Sequence, residues 1–249
     1  MRIKIIFSKP TSEVPLQNQE LVVSYLHKCL GRNNEYHNKP SKYCITSILG
    51  GSLLKDSLSL DFSSSDGPYI FVTSEDSEFF NKLMLGLFAN SDFGFGMKVV
   101  DVQTVCSTSF NGYNIFKAIT PIVLKEKGGK RYLSIKDEGY EGLLKAHTMN
   151  KLSKAIPGID LSGFNLEVMK NLPNKVKKSM YKQTLVTATI CSVKITCNKK
   201  IAEFIFNNGL GQSTGIGFGS MCHAQDWKEQ GFSSQDKGQV VEEQQLVTT

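Results

Sequence analysis

The stretch Asn207-Asn208-Gly209-Leu210-Gly211-Gln212-Ser213-Thr214-Gly215-Ile216-Gly217-Phe218-Gly219 has five glycines within eleven positions and neither a charge nor a proline. Glycine adopts positive φ without steric cost and lets another backbone approach closely. Exposed N–H groups in such a loop form a concavity that suits anions, phosphate above all. The stretch therefore predicts a phosphate-contacting loop, with a plain flexible turn as the alternative.

The elements around this loop exclude two familiar nucleotide sites. Lys199 to Phe206 has helical periodicity, and Ile216, Phe218 and Met221 alternate like a strand. Helix, loop, strand is the reverse of a dinucleotide fingerprint or a P-loop, in which the glycine loop opens a helix. No Gly-Lys-Ser/Thr is present. A small nucleotide-binding protein that uses the glycine loop alone remains one alternative.

Further outward, helical and strand patterns follow one order twice along the chain. The first half has strand patterns at 2–7, 43–49, 69–73 and 97–106 and helical patterns at 19–30 and after residue 74, with Asn18 and Ser74 as the predicted helix caps. The second half has strand patterns at 119–124, 132–135, 164–169 and 183–196, a helix over about 138–155 and the final strand through Cys222.

These patterns predict an α+β fold made of two tandem ferredoxin-like domains, each with the order β-α-β-β-α-β. We expect domains at residues 1–110 and 111–223, the second ending in the glycine-rich loop and the final strand. A tail over 224–249, rich in Gln, Glu, Lys and Ser, is predicted to be disordered.

Composition and charge narrow the class of protein. The net charge of +6 comes mostly from lysine and is compatible with a polyanionic partner. The six cysteines form no Cys-x-x-Cys pair, which favours buried reduced thiols and a cytoplasmic location. The N-terminus reads as a strand rather than a signal peptide, and no apolar run reaches the roughly 18 residues of a membrane helix.

Histidine and lysine near the first helix are the candidate acid–base groups. His27 lies on that helix, His37 follows ten residues later, and Lys42 begins the next strand. Cleavage of RNA without a metal needs a base for the 2′-hydroxyl, an acid for the departing 5′-oxygen, and a cation for the phosphorane. Histidine suits the first two tasks because its pKa lies near neutral pH. An exposed loop histidine without catalytic function is the alternative.

The remaining histidines are weaker candidates for chemistry. His147 lies within a predicted helix, where packing or surface roles are commoner, and His223 ends the last strand, where it could touch a bound partner. Clustered carboxylates of a metal site and a Gly-x-Ser-x-Gly nucleophile motif are absent, so we expect neither a metal nor a cofactor.

The segment from Lys170 to Lys182 is strongly basic and contains no acid. Lys175, Lys177 and Lys178 lie between two strand patterns, so an exposed hairpin is expected. Lysines in such a position bind phosphates as point charges, with affinity that falls as salt rises. A solvated hairpin is the alternative.

Three parts of the sequence resemble the CRISPR-repeat endoribonucleases of the RAMP superfamily. Residues 35–47, Glu-Tyr-His-Asn-Lys-Pro-Ser-Lys-Tyr-Cys-Ile-Thr-Ser, are similar to the family's segment after the first helix, where a histidine precedes a lysine and a short strand. Thr120-Pro121-Ile122 resembles the opening of the family's second domain, and Gly209 to Gly219 resembles its C-terminal glycine signature.

The resemblance implies an activity and a set of site residues. It implies cleavage of precursor CRISPR RNA within its repeats, without a metal, leaving 2′,3′-cyclic phosphate and 5′-hydroxyl ends. His37 would be the principal acid or base, Lys42 the charge stabiliser and His27 the third catalytic group. RNA would be bound by the glycines of the loop and the three hairpin lysines: Gly209, Gly211, Gly215, Gly217, Gly219, Lys175, Lys177 and Lys178.

Several alternatives stay open at this point. Lys39 competes with Lys42, and Tyr25 or Tyr36 competes with His27 for the third role. A non-catalytic RNA-binding subunit of a CRISPR effector complex is the alternative function. The resemblance implies repeat RNA, as precursor and mature CRISPR RNA, as the partner, effector subunits as further candidates, no membrane, and a monomer or homodimer.

Overall fold

The computed structural model describes residues 1–31, 34–36, 42–54, 58–106, 109–126, 128–129 and 131–227. Within them, two main antiparallel sheets follow one another along the chain, each packed with two helices. No helix in this part of the chain is long and apolar enough to cross a membrane. Cys106 is exposed, contrary to the expectation of buried thiols, and the other cysteines are buried.

The first unit lies between residues 2 and 105. Its elements are β1 (Arg2–Phe7), β2 (Val14–Pro15), α1 (Gln19–Leu30), β3 (Tyr43–Ile45), β4 (Ser52–Leu53), β5 (Ser59–Asp61), β6 (Tyr69–Ser74), α2 (Ser77–Ala89), β7 (Asp92–Gly94) and β8 (Met97–Val105). The main sheet has the order β3-β6-β1-β8-β7, with β2, β5 and β4 in a small separate sheet.

Alternation along β1 sends its side chains to two different interfaces. Ile3, Ile5 and Phe7 are buried in the core beneath α1 and α2. Because successive side chains of a strand point to opposite faces, Arg2 and Lys4 lie on the other face of the sheet. That face meets the second unit.

The second unit lies between residues 113 and 226. Its elements are β9 (Tyr113–Ala118), β10 (Leu124–Lys125), β11 (Tyr132–Leu133), α3 (Tyr140–Ala155), β12 (Asn165–Val168), β13 (Lys175–Tyr181), β14 (Thr184–Ile190), β15 (Ser192–Thr196), α4 (Lys199–Asn208) and β16 (Met221–His223), with 3₁₀ turns at Thr214–Ile216 and Ala224–Asp226. Its main sheet has the order β12-β15-β9-β16.

Both sheets have the strand order of a ferredoxin-like unit. If the four β-α-β-β-α-β strands of each unit are numbered along the chain, each sheet has the order 2-3-1-4. The predicted fold class is therefore confirmed. The domain boundary at residue 110 stays a prediction, and nearly all of the predicted tail (228–249) lies outside the described residues.

Two predicted strands are wrong. The first strand of the second unit is β9, which comes before the strand predicted at 119–124. Pro121 cannot donate to a strand ladder, which limits pairing at that point. The predicted alternation of Ile216 and Phe218 is also not a strand, because Gly217 and Gly219 have φ of 96° and 66°.

Of the two predicted helix caps, Asn18 occupies the N-cap position of α1, whereas Ser74 is not the cap of α2. The Asn18 side chain makes no cap bond and instead accepts a hydrogen bond from the Ile48 amide. The cap of α2 is Asp76, which accepts from the amides of Glu78 and Phe79. Ser74 supports this cap indirectly, since its hydroxyl accepts from the Asp76 amide.

The two units meet across a mixed polar and apolar interface. Leu49 and Phe71 of the first unit pack with Cys222 of the second. The fully buried Arg2 guanidinium donates to the carbonyls of Phe206 and Met221 and lies 3.8 Å from the Phe206 ring centroid. These contacts hold together the two units whose faces border a cleft.

Candidate functional site

A cleft of about 1260 Å³ lies between the two units. The first unit contributes α1, the segment at Lys42 and Tyr43, and the start of α2. The second contributes α3, the end of α4, residues 211–216 of the glycine loop, and the tip of the β13–β14 hairpin. Residues far apart in sequence therefore line one cleft.

His27 lies in the last turn of α1 and lines this cleft. Its Nδ1 is 3.3 Å from Asn34 Nδ2, and its Nε2 is 3.3 Å from the Tyr43 hydroxyl. The Asn34 amide orientation is fixed, because Nδ2 also donates to the Gly31 carbonyl and Oδ1 accepts from the Tyr36 amide. Since an amide NH₂ only donates, Nδ1 is the acceptor, and neutral His27 has its proton on Nε2.

Tyr43 and Tyr36 form the aromatic wall beside His27. The Tyr43 ring stacks on Phe79 with centroids 5.0 Å apart, and the Tyr36 hydroxyl donates to Asp76 at 3.0 Å. Burial, together with nearby Tyr181 and Cys44, raises the pKa of Tyr43 to about 12. Burial and the Asp76 contact raise the pKa of Tyr36 to about 12. Both phenols are therefore neutral near pH 7.

Lys42 lines the same cleft and is exposed. Its backbone carbonyl accepts from the Ser74 hydroxyl, which ties this residue to the end of β6. His37 and Lys39 lie outside the described residues. Of the predicted catalytic residues, the structure thus brings His27 and Lys42 to one cleft.

The two tyrosines proposed for the third role differ in position. Tyr36 lines the cleft. Tyr25 is buried in a ring cluster with Phe7 and Phe93, and its hydroxyl donates to the Asn90 carbonyl at 2.6 Å. Burial raises its pKa well above the usual value. The geometry therefore favours Tyr36 over Tyr25 as the competitor of His27.

The glycine loop folds tightly on itself and on the strands below it. The Leu210 amide donates to the Gly219 carbonyl, and the Gln212 amide donates to the Val123 carbonyl. A Cβ at Gly219 would lie 1.9 Å from the Leu210 oxygen, and one at Gly211 would lie 2.6 Å from the Val123 oxygen. These glycines are thus required by internal packing, whatever else the loop binds.

The five loop glycines do not all face the cleft. Gly211 and Gly215 line it, whereas Gly209, Gly217 and Gly219 are not among its lining residues. A Cβ at Gly209 would meet the Gly219 oxygen at 2.4 Å, and one at Gly217 would meet the Gln19 side chain at 3.1 Å. RNA contact by each of the five stays a prediction.

The hairpin is present, but its lysines are divided between two faces. Lys175 and Lys177 share a face with Ser179, whose hydroxyl donates to Gln19 of α1 at 3.2 Å. Lys178 lies on the opposite face, because side chains alternate along β13. The hairpin residues that line the cleft are Tyr181 and Lys182, near the turn. RNA binding by the three predicted lysines remains untested.

One face of α3 lines the cleft, although only His147 of this helix was a candidate from the sequence, and a weak one. His147, Asn150, Lys151 and Lys154 recur at helical spacing on that face. Lys151 Nζ donates to the Asn208 carbonyl at 2.7 Å and to the Gly209 carbonyl at 3.3 Å. Burial lowers the pKa of Lys151 to about 8. The spacing was visible in the sequence, but nothing there indicated which helix face meets the first unit.

His223, by contrast, is buried at β16 against Phe110 and Phe116, and it is not among the residues that line the cleft. Among the residues that the structure describes, four lysines and two carboxylates line the cleft, so this lining is positively charged. Among the described residues, no group of three or more His, Cys, Asp or Glu side chains could hold a metal ion.

Comparison with known proteins supports one family. Residues 105–222 match the family model described as "CRISPR associated protein Cas6, C-terminal". A "Putative CRISPR-associated endoribonuclease-like protein Cas6" from Pyrococcus furiosus is 24% identical over 165 residues, which are 62% of this chain and 67% of that protein.

Solved structures show the same fold. A Cas6-related protein from Pyrococcus furiosus has a TM-score of 0.77 at 20% identity, covering 91% of this chain and 99% of its own. A structure described as "An RAMP protein binding different RNA substrates" has a TM-score of 0.75 at 21% identity, covering 90% and 99%. The family model and the curated relative confirm the resemblance drawn from the sequence, and the solved structures show the shared fold.

Proposed function

Since this chain is of the Cas6 type within the RAMP superfamily, we propose that it is an endoribonuclease that processes precursor CRISPR RNA. The repeat RNA occupies the cleft between the two units and is cut there without a metal. The products are a 2′,3′-cyclic phosphate and a 5′-hydroxyl end. The proposal includes a cytoplasmic location, where the precursor is made.

One observation carries the proposal. His27 and Lys42 of the first unit lie in the same positively charged cleft as the glycine loop of the second. A cation and an acid–base side chain beside a glycine-rich loop fit the groups that phosphodiester cleavage requires. A protein that only bound RNA would need the lysines but not the histidine.

The chemistry balances without an added reagent. A base takes the 2′-hydroxyl proton, and the resulting oxygen attacks the neighbouring phosphorus. The bond from phosphorus to the 5′-oxygen breaks, and an acid protonates that oxygen as it leaves. We assign the acid–base pair to His37 and His27, and stabilisation of the phosphorane to Lys42. To exchange a proton, His27 has to give up its contact with Tyr43 or with Asn34.

The direct test is incubation of the purified protein with the repeat RNA of its own locus in EDTA, followed by analysis of the ends. A single cut that leaves a 2′,3′-cyclic phosphate and a 5′-hydroxyl is expected. A cut that appears only after Mg²⁺ is added would contradict the metal-independent mechanism.

His37→Ala is expected to abolish cleavage and to leave RNA affinity within a few-fold, because the residue moves protons and adds little binding energy. Single-turnover cleavage and a binding titration measure the two effects separately. Asn38→Ala, one position away, is the control and should cut normally. A His37→Ala variant that cuts at the normal rate would remove His37 from the mechanism.

The second candidate is a non-catalytic RNA-binding RAMP subunit. The observation that favours it is the arrangement of His27, whose two ring nitrogens both contact other side chains. In this case the wild-type protein would bind repeat RNA without cutting it, and His27→Ala would change neither result beyond a few-fold. Tight binding of a mononucleotide in place of repeat RNA would instead favour the nucleotide-binding alternative.

A further inference from the structure

The cleft has a second set of ionisable groups, on the face of α3 that belongs to the second unit. His147, Lys151 and Lys154 lie at positions i, i+4 and i+7 of this helix and line the cleft. The proposed catalytic groups His27 and Lys42 belong to the first unit instead. The α3 face therefore has no assigned role in the cleavage chemistry.

His147 is the most informative member of this face. Its Nδ1 is buried and has no hydrogen-bond partner among the described residues. Buried polar atoms in folded proteins are almost always paired, so this orphan nitrogen, on a residue that lines the cleft, is hydrogen-bonding capacity that the fold leaves unused. Burial, followed by the nearby charges of Lys151 and Lys154, lowers the pKa of His147. A neutral ring beside two cations is well placed to bind an anion.

The two lysines of this face differ in the hydrogen bonds and ion pairs that they form within the protein. The Lys151 ammonium donates to two carbonyls at the end of α4, and an ammonium has three donors. Lys154 is exposed and forms no ion pair with any residue that the structure describes. The Lys154 ammonium is thus exposed to solvent and open to an anionic ligand.

The carboxylates of the cleft are engaged elsewhere. Asp76 caps α2 and accepts the Tyr36 hydroxyl, both within the first unit. Glu75 interacts with Asn207 and with the N-terminal amine, and burial raises its pKa. Neither carboxylate forms an ion pair with Lys151 or Lys154 in the described part of the chain.

We infer that the α3 face formed by His147, Lys151 and Lys154 is a phosphodiester-binding subsite for single-stranded RNA. It holds a phosphate other than the one that reacts, so the RNA is gripped by both units at once. This inference rests on the proposed function. The exposed Lys154 ammonium and the hydrogen-bonded Lys151 ammonium supply positive charge to the phosphate. The His147 ring donates a hydrogen bond to it.

The test measures binding of a repeat RNA whose reacting 2′-hydroxyl is replaced by hydrogen, at several salt concentrations. For Lys154→Ala, we expect weaker binding and a slope of log affinity against log salt that is reduced by about 0.7, the value for one phosphate contact on a single strand. Lys145→Ala is the matched control, because Lys145 is on the same helix but bonds Asn165 and does not line the cleft. It should leave affinity and slope unchanged.

His147 is tested by substitution and by NMR. His147→Leu should weaken binding several-fold, and His147→Gln should restore most of the loss, because glutamine keeps a side-chain donor. The ¹⁵N resonances of the His147 ring, identified by their absence in His147→Gln, should shift when the RNA is added to the wild-type protein. A merely structural histidine would show neither the rescue nor the shift.

The outcomes separate the two proposals. If the wild-type protein binds no RNA, the proposed function fails and this inference fails with it. If the wild type binds RNA, but Lys154→Ala has the same salt slope and the His147 resonances do not move, the subsite alone is overturned and RNA runs along other surfaces.

Discussion

Single residues in the cleft have environments that change their chemistry, and Lys151 is the clearest case. Its ammonium lies at the C-terminal end of α4, where the carbonyl ends of the helix favour a cation. Burial nevertheless lowers its pKa from 10.5 to about 8, so desolvation outweighs these contacts. Lys151 thus donates a hydrogen bond to the Gly209 carbonyl of the glycine loop and has a pKa of about 8.

This depressed pKa predicts a pH dependence of stability. Between about pH 8 and 10.5 the unfolded chain binds a proton at Lys151 that the folded chain has lost, so the free energy of unfolding rises with pH there. The contribution to the slope reaches at most about 1.4 kcal/mol per pH unit. Urea titrations of the wild type and Lys151→Met across this range measure it as a difference.

The variant should show the smaller rise, because methionine does not titrate. Lys154→Met, three residues along α3, is the control and should keep the wild-type slope. Equal slopes in wild type and Lys151→Met would show that the Lys151 ammonium is better solvated than its position indicates.

At the scale of elements, the glycine loop is determined by its own packing. Gly219 has φ of 66°, and a Cβ there would lie 1.9 Å from a backbone oxygen. We expect Gly219→Ala to destabilise the protein by about 1–3 kcal/mol, because the left-handed conformation is strained and the neighbouring backbone cannot yield. Denaturant unfolding measures the loss.

Gly142→Ala is the contrasting substitution. Gly142 lies within α3, and nothing is within 4 Å of the position of its added Cβ. We expect this change to stabilise the protein by about 0.5–1 kcal/mol through helix propensity. If both alanine variants were equally destabilised, close packing would not be what requires glycine in the loop.

The β13–β14 hairpin makes a different prediction. If its lysines bind RNA, replacing Lys175, Lys177 and Lys178 together by alanine weakens binding and reduces the salt slope by up to about 2, or 0.7 for each contact. Lys178 lies on the opposite face of β13 from Lys175 and Lys177. We therefore expect Lys178→Ala to weaken RNA binding less than Lys175→Ala or Lys177→Ala. Lys98→Ala, on β8, is the control, and an unchanged slope in the triple variant would remove the hairpin from the RNA-binding surface.

At the scale of the whole molecule, Arg2 joins the two units. Its guanidinium is buried between the first sheet and the carbonyls of Phe206 and Met221. Burial lowers its pKa to about 10, despite the nearby Cys222, Cys44 and Asp226. A charge this costly to bury is tolerated because one terminal nitrogen, Nη2, donates to two carbonyls of the second unit.

Arg2→Ala is expected to lower the free energy of unfolding by about 3 kcal/mol or more, since it leaves a cavity and orphans two buried carbonyls. Lys4→Ala, two residues along the same strand, is the control and should cost much less, because Lys4 is only half-buried over the Tyr69 ring. Equal losses in the two variants would show that the Arg2 contacts contribute little to joining the units.

The sequence alone determined the ferredoxin-like repeat and the glycine loop, because strand alternation, helical periodicity and glycine content are local properties. It missed β9, because a short alternating tract lies there among polar residues. It also missed the cap of α2, because Asp76 lies only two positions after Ser74 and either side chain can cap a helix. It also placed His27 and Lys42 among the candidate residues. The sequence could not predict which of the candidate histidines line the same cleft, because that depends on how the two sheets pack.

Only the tertiary structure decided the composition of the cleft. It brought α3, with His147 and Lys151, to the cleft and placed His223 in the core of the second unit. The physical reason is the interface around Arg2 and Phe71, which sets the orientation of one sheet against the other. Contacts between residues some 200 positions apart leave no periodic signal in the sequence, and they determine which side chains share the site.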